Sequence, residues 1–115
     1  MKKKISKKIL RAREDRAVKR NNKQLKKNMV EDMFKRDGGV CVFCGKPVHL
    51  KHYQTCHIIP EQFAETRYDL NNVLLACFYH HRVGKYSMHN HPLWFVSWLE
   101  KNRPEQYSYL KEKLK

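Results

Sequence analysis

With 115 residues and 25 Lys and Arg against 11 Asp and Glu, the chain has a formal net charge of +14 and a pI near 9.8. That excess points to a polyanionic partner rather than a small-molecule substrate. No apolar run approaches the roughly 20 residues of a membrane span, and MKKKISKKIL has only Ile9-Leu10 before charge resumes, so neither a membrane segment nor a secretory leader is expected.

In chain order, residues 1–27 carry thirteen Lys and Arg against Glu14 and Asp15, which places +11 of the charge in one arm. Its apolar residues are too sparse for a core stripe, so the arm reads as a nascent helix or disordered segment that orders on a polyanion. Lys19, Arg20 and Lys23 are candidate phosphate contacts there. From about Asn22 to Asp37 the pattern changes: Leu25, Met29, Val30, Met33 and Phe34 form a helical face, and Gly38-Gly39 supplies the stop. The expected organisation is thus a basic arm over 1–27 and one domain over 28–115.

Cys41-Val-Phe-Cys44-Gly45 has the chemistry of a zinc-knuckle turn, two thiolates spaced to grip one tetrahedral ion and a glycine that lets the backbone turn back. Cys77-Phe-Tyr-His80 offers the matching second pair. In a chain without a secretion signal, cysteines read as metal ligands or free thiols rather than disulfides. Val48 to Ile59 alternates loosely and predicts a β-hairpin ending at Pro60. Residues 61–70 read as a loop, 72–76 as a short buried strand and 77–86 as a helix. Such a ββα unit is small enough to need a metal clip. Pro92 and Pro104 each open a helix, and Trp94, Phe95, Trp98 and Leu99 read as core or homodimer contacts. His49, His52, His89 and His91 read as surface or polar-network histidines.

The stretch Thr55 to Lys85 holds His57 before an apolar run, Asn72 fifteen residues on and His81 nine further, interlocked with the cysteine pattern through adjacent His80 and His81. This arrangement resembles the zinc-stapled subgroup of HNH endonucleases over roughly residues 30 to 90. The tail, His89-x-His91-Pro-Leu-Trp-Phe, resembles phage NinG/Rap-type recombination endonucleases. The resemblance implies an α+β fold: a zinc-stapled ββα-metal core with flanking helices. It implies DNA hydrolysis with a structural Zn2+ on Cys41, Cys44, Cys77 and His80, and a catalytic Mg2+ or Mn2+ on His81. His57 corresponds to the general base. Asn72 corresponds to the positioning asparagine, which lies five residues before the helix-opening Cys77. Many members carry an acid immediately before the base; here that position is Cys56, a poor ligand for hard Mg2+. Lys85, four residues past His81 on the same expected helix face, is a candidate phosphate contact, as are Arg82 and Arg67. The implied setting is the cytoplasm of a bacterium or a phage-infected host. A non-catalytic zinc-finger DNA-binding module and a basic RNA-binding protein are the other functions the residues allow.

Overall fold

The computed structural model describes residues 6–115; Lys2, Lys3 and Lys4 of the basic arm lie outside them. One helix, α1, runs over Lys7–Asp37. The composition shift near residue 27 is therefore not a break in secondary structure, because no Gly or Pro interrupts the chain there. Ser6 caps its start by accepting from the Ile9 N–H at 3.2 Å. At the other end Gly38 takes φ +71°, and the Gly39 N–H returns to the Phe34 carbonyl at 3.1 Å, a Schellman closure.

Strands β1 (Gln54–His57) and β2 (Val73–Ala76) form a two-stranded antiparallel sheet, with Thr55 opposite Leu75, Cys56 opposite Leu74 and His57 opposite Val73. All four residues of β2 are buried because the sheet is covered on both faces. Val73 and Leu75 pack with Met29, Val30 and Met33 of α1. Leu74 and Ala76 pack with Cys41, Cys56, Phe95 and Leu99. Burying a Leu or Val side chain contributes about 1.5–3 kcal/mol, so this strand joins two small cores into one. The expected hairpin within 48–59 does not form. Val48 N–H bonds to the Gly39 carbonyl and Val40 bridges Pro47, so this segment closes on the cysteine turn, and β1 pairs instead with β2.

A 3-10 turn, Leu70–Asn72, leads into β2, and a π-helical turn, Tyr79–Val83, follows it. The expected helix over 77–86 is thus shortened to one wide turn, ended at Gly84, where a Cβ would meet the Tyr79 ring at 2.5 Å. Helices α2 (Pro92–Asn102) and α3 (Pro104–Lys113) complete an α+β fold. Phe95 and Leu99 are core residues, with Trp94 and Trp98 packed against them.

A polar clamp ties α1 to the rest. The Asp37 carboxylate accepts from both Arg36 nitrogens at 2.9 Å, from Arg103 at 3.1 Å and from the Leu75 N–H at 3.0 Å. Arg36 also donates to the carbonyls of Leu70 and Val73, and Gln106 donates to that of Asn71 at 2.8 Å. Burial alone would raise the Asp37 pKa; the Arg36 hydrogen bonds, the Leu75 N–H and the two guanidinium charges bring it below its ordinary value.

Candidate metal centre and histidine cleft

The turn carrying Cys41 and Cys44 is built by its backbone. Cys41 N–H bonds to the Lys46 carbonyl and Gly45 N–H to the Cys41 carbonyl, both at 2.8 Å, with Gly45 at φ +75°. Cys77 leaves the end of β2, and His80 sits on the π turn, its ring stacked on Phe43 at 5.7 Å. Phe43 in turn packs on Trp98 at 4.4 Å. The ligand atoms of Cys41, Cys44, Cys77 and His80 all lie within 4.8 Å of one another.

A tetrahedral ion with Zn–S bonds of about 2.3 Å and a Zn–N bond of about 2.0–2.1 Å separates sulfurs by about 3.8 Å and sulfur from nitrogen by about 3.6 Å. Here Cys44 and Cys77 sulfurs are 3.8 Å apart, and His80 Nδ1 lies 3.2 Å from the Cys77 sulfur and 3.9 Å from that of Cys41. The donor set and its spacing fit a metal ion such as zinc. Burial pushes the Cys41 thiol up to about 11 against the opposing backbone N–H groups, so its proton must leave for a metal to bind. Burial also acts to raise Cys44, but the Lys46 N–H, the neighbouring thiols and the Lys46 charge outweigh it and lower its pKa. Burial, then the Lys46 charge, holds His80 below its ordinary value, favouring the neutral ring that a metal needs.

His81, next in the chain, turns away from this cluster. Neighbouring side chains diverge by roughly 100° on an α-helix, and the wide turn here, closed by Gly84 N–H to the Tyr79 carbonyl, keeps the two rings on separate sites. His81 Nδ1 lies 2.9 Å from Gln54 Oε1, and its Nε2 lies 3.1 Å from Nε2 of His89. Burial, then the nearby His89, Arg82 and His57, pushes its pKa down to about 4, so the ring is neutral at pH 7.

His57, on β1, lines a cleft of about 250 Å³ together with Thr55, Glu61, His81 and His89. On its other side a cleft of about 270 Å³ is lined by Lys26 and Met29 of α1, with Thr55, His57 and Glu61 again in the wall. The basic helix thus shares a cleft wall with the histidine. His57 Nε2 lies 3.0 Å from the Arg67 carbonyl. Asn72 is fully buried; its Oδ1 accepts from the Ile59 N–H, and its Nδ2 donates to the carbonyls of Ile59 and Thr66. It therefore clamps the loop that follows His57 rather than touching the imidazole. A wider cleft of about 540 Å³ lies elsewhere, walled by Arg36 and Arg103, whose guanidiniums already serve the Asp37 clamp.

Two expected site residues, Cys56 and Lys85, are placed differently, and Arg67 makes local backbone hydrogen bonds. Cys56 is wholly buried in the apolar core, where burial raises its thiol pKa, and it stands outside the four-ligand group. Lys85 lies beyond the π turn, so it shares no helix face with His81; its ammonium sits 5.7 Å from the Tyr86 ring centre. Arg67 is occupied by the carbonyls of Glu61 and Gln62. Arg82, Lys19, Arg20 and Lys23 are exposed. Two histidines gain partners that the sequence did not indicate: His89 meets His81, and His91 caps α2 by accepting from the Trp94 N–H at 3.2 Å. Only the second had a local signal, His91 standing just before a helix-opening Pro92.

No protein-family model, curated protein or solved structure matches the chain. Among the described residues no helix is long and apolar enough to cross a membrane.

Proposed function

We propose that this protein is a metal-dependent endonuclease of the HNH kind that hydrolyses DNA phosphodiester bonds, with structural Zn2+ on Cys41, Cys44, Cys77 and His80. The observation that supports this best is the shared cleft: His57 and His81 line it together, and the Cys3His cluster abuts it through consecutive His80 and His81. A carbonyl oxygen only accepts, so the His57 nitrogen facing Arg67 carries the ring proton and Nδ1 keeps its lone pair. That lone pair takes the proton from the attacking water. Asn72 holds the loop that carries this geometry, and the α1 cations grip backbone phosphates up to Lys26 beside His57. A divalent cation such as Mg2+ or Mn2+ bound at the cleft would offset phosphate charge and stabilise the leaving oxygen.

The test is nicking of supercoiled plasmid with and without Mg2+ or Mn2+. Cleavage is expected to vanish with EDTA and to fall by about 10²–10⁴ in His57→Ala, with fold and zinc content unchanged. A variant that keeps more than about a tenth of the rate rejects His57 as the base. Tight DNA binding without cleavage in any metal selects the zinc-finger module, and preference for RNA in competition selects the RNA-binding reading. Linear, nicked and four-way-junction substrates then decide whether cleavage is structure-selective.

A further inference from the structure

The geometry points to a second metal site, formed by Nε2 of His81 and Nε2 of His89, that prefers a borderline transition-metal ion such as Mn2+, Co2+, Ni2+ or Zn2+ to Mg2+. This deepens the nuclease reading by naming the class of ion at its cleft, and its use in cleavage rests on that reading. The site itself stands on four observations.

First, two nitrogens bound to one ion at about 2.0–2.1 Å, with an angle between 90° and 110°, are separated by about 2.9–3.4 Å. The two Nε2 atoms are 3.1 Å apart. Second, His81 is set in the tautomer that a metal needs. The Gln54 Oε1 opposite its Nδ1 accepts only, so Nδ1 carries the proton, the usual orienting contact behind a ligand histidine. The Nε2 lone pair accepts from His89 Nε2, and an ion takes the place of that shared proton when His89 adopts its Nδ1–H tautomer. Third, the backbone holds the pair in register. His89 N–H bonds to the His81 carbonyl at 3.2 Å and Met88 N–H to that of His80 at 2.9 Å. The Asn90 side chain ties the intervening loop through the carbonyls of Arg82 and Gly84. Fourth, oxygen donors stand in the same cleft. Glu61 and Thr55 line it together with the two histidines. Two imidazoles suit Mn2+ through Zn2+ far better than Mg2+, which favours oxygen ligands and dehydrates reluctantly.

The experiment is a Co2+ titration of the full chain, followed by calorimetry and visible absorption. Two ions per chain are expected: the first with thiolate charge-transfer bands from the cysteine cluster, the second without them. His89→Ala, at an exposed residue, is expected to weaken only the second ion by at least about tenfold and to leave the thiolate bands unchanged, which also reports an intact fold. Mg2+ at equal concentration should not displace the second ion. The inference is overturned by one Co2+ per wild-type chain, by a second ion held equally well in His89→Ala, or by displacement with equimolar Mg2+. Two bound ions with no cleavage of any DNA would keep the site and reject the nuclease. Mg2+-dependent cleavage unaffected by His89→Ala would keep the nuclease and reject the site.

Discussion

From Lys7 to Asn28, α1 leaves every side chain exposed or half-buried, whereas from Met29 to Asp37 the same helix buries Met29, Val30, Met33 and Asp37. Both stretches are helical for the same local reason, an uninterrupted run without Gly or Pro. They differ in what holds them. The last turns are fixed by one face of the sheet and by the Asp37 clamp, while among the described residues the stretch to Asn28 has propensity, the Ser6 cap and a Gln24–Asn28 side-chain hydrogen bond. Like-charge pairs at i,i+4, such as Lys19/Lys23 and Lys23/Lys27, each weaken an isolated helix by about 0.2–0.5 kcal/mol. Neutralisation by phosphates would relieve that repulsion. The anchored end helps to wall the cleft; in the proposed reading the free end, about 33 Å of helix, would meet the polyanion.

The largest effect is expected from the cluster on the anchored side. Chelation, or Cys77→Ser, should unfold the chain from β1 onward, because a structural zinc site supplies about 10–16 kcal/mol in domains of this kind. Circular dichroism with zinc analysis reads this. A chain that keeps its cooperative melt without metal would show that the two apolar cores suffice.

On α1 itself, Met33→Ala should cost about 2–5 kcal/mol, since Met33 is fully buried against β2. Val18→Ala, on the same helix but 57 % exposed, should change stability by less than about 0.5 kcal/mol. Equal effects in urea melts would mean that the free stretch packs on something in solution.

Asp37→Asn tests the clamp, with an expected loss of about 3 kcal/mol, the low end for a broken buried pair because both arginines keep about a quarter of their surface in water. The folded-state pKa of Asp37 lies below its ordinary 3.8, so its contribution is fully present above that pH and is lost as pH falls through the lower folded value. The gap between wild type and variant should be flat from about pH 5 upward and close below about 3.8. A gap that widens in acid has the wrong sign for this assignment.

The smallest effect on stability, and the largest on binding, should come from starting the chain at Asn28, itself a suitable cap. Folding and zinc content should be unchanged. If the free stretch meets about 6 to 8 phosphates, the slope of log affinity against log salt for the full chain is about −5 to −7, and truncation should flatten it. An identical slope in both chains would move the nucleic-acid surface to the cleft side, around Lys46, Lys51 and Arg82.

The sequence alone determined what depends on short-range chemistry. Two C-x2-C/H spacings made the Cys3His cluster legible, Gly38-Gly39 marked the end of α1, and Pro92 and Pro104 marked the starts of α2 and α3, because ligand spacing, left-handed backbone and a missing N–H are local properties. Alternation in Val48–Ile59 misled about pairing, since a strand's partner depends on which edge is free, and Val40 and Pro47 had already closed that turn. Only the tertiary structure decided that Asn72 clamps the loop after His57, that Cys56 is core and that His89 faces His81. It alone decided that Arg36 and Asp37 meet Arg103 and Gln106, with Asp37 and Arg103 lying 66 positions apart in sequence. Each of these depends on a distance across the fold, set by how α1 and α2 cover the two faces of one short sheet, and no periodicity within a single segment encodes that distance.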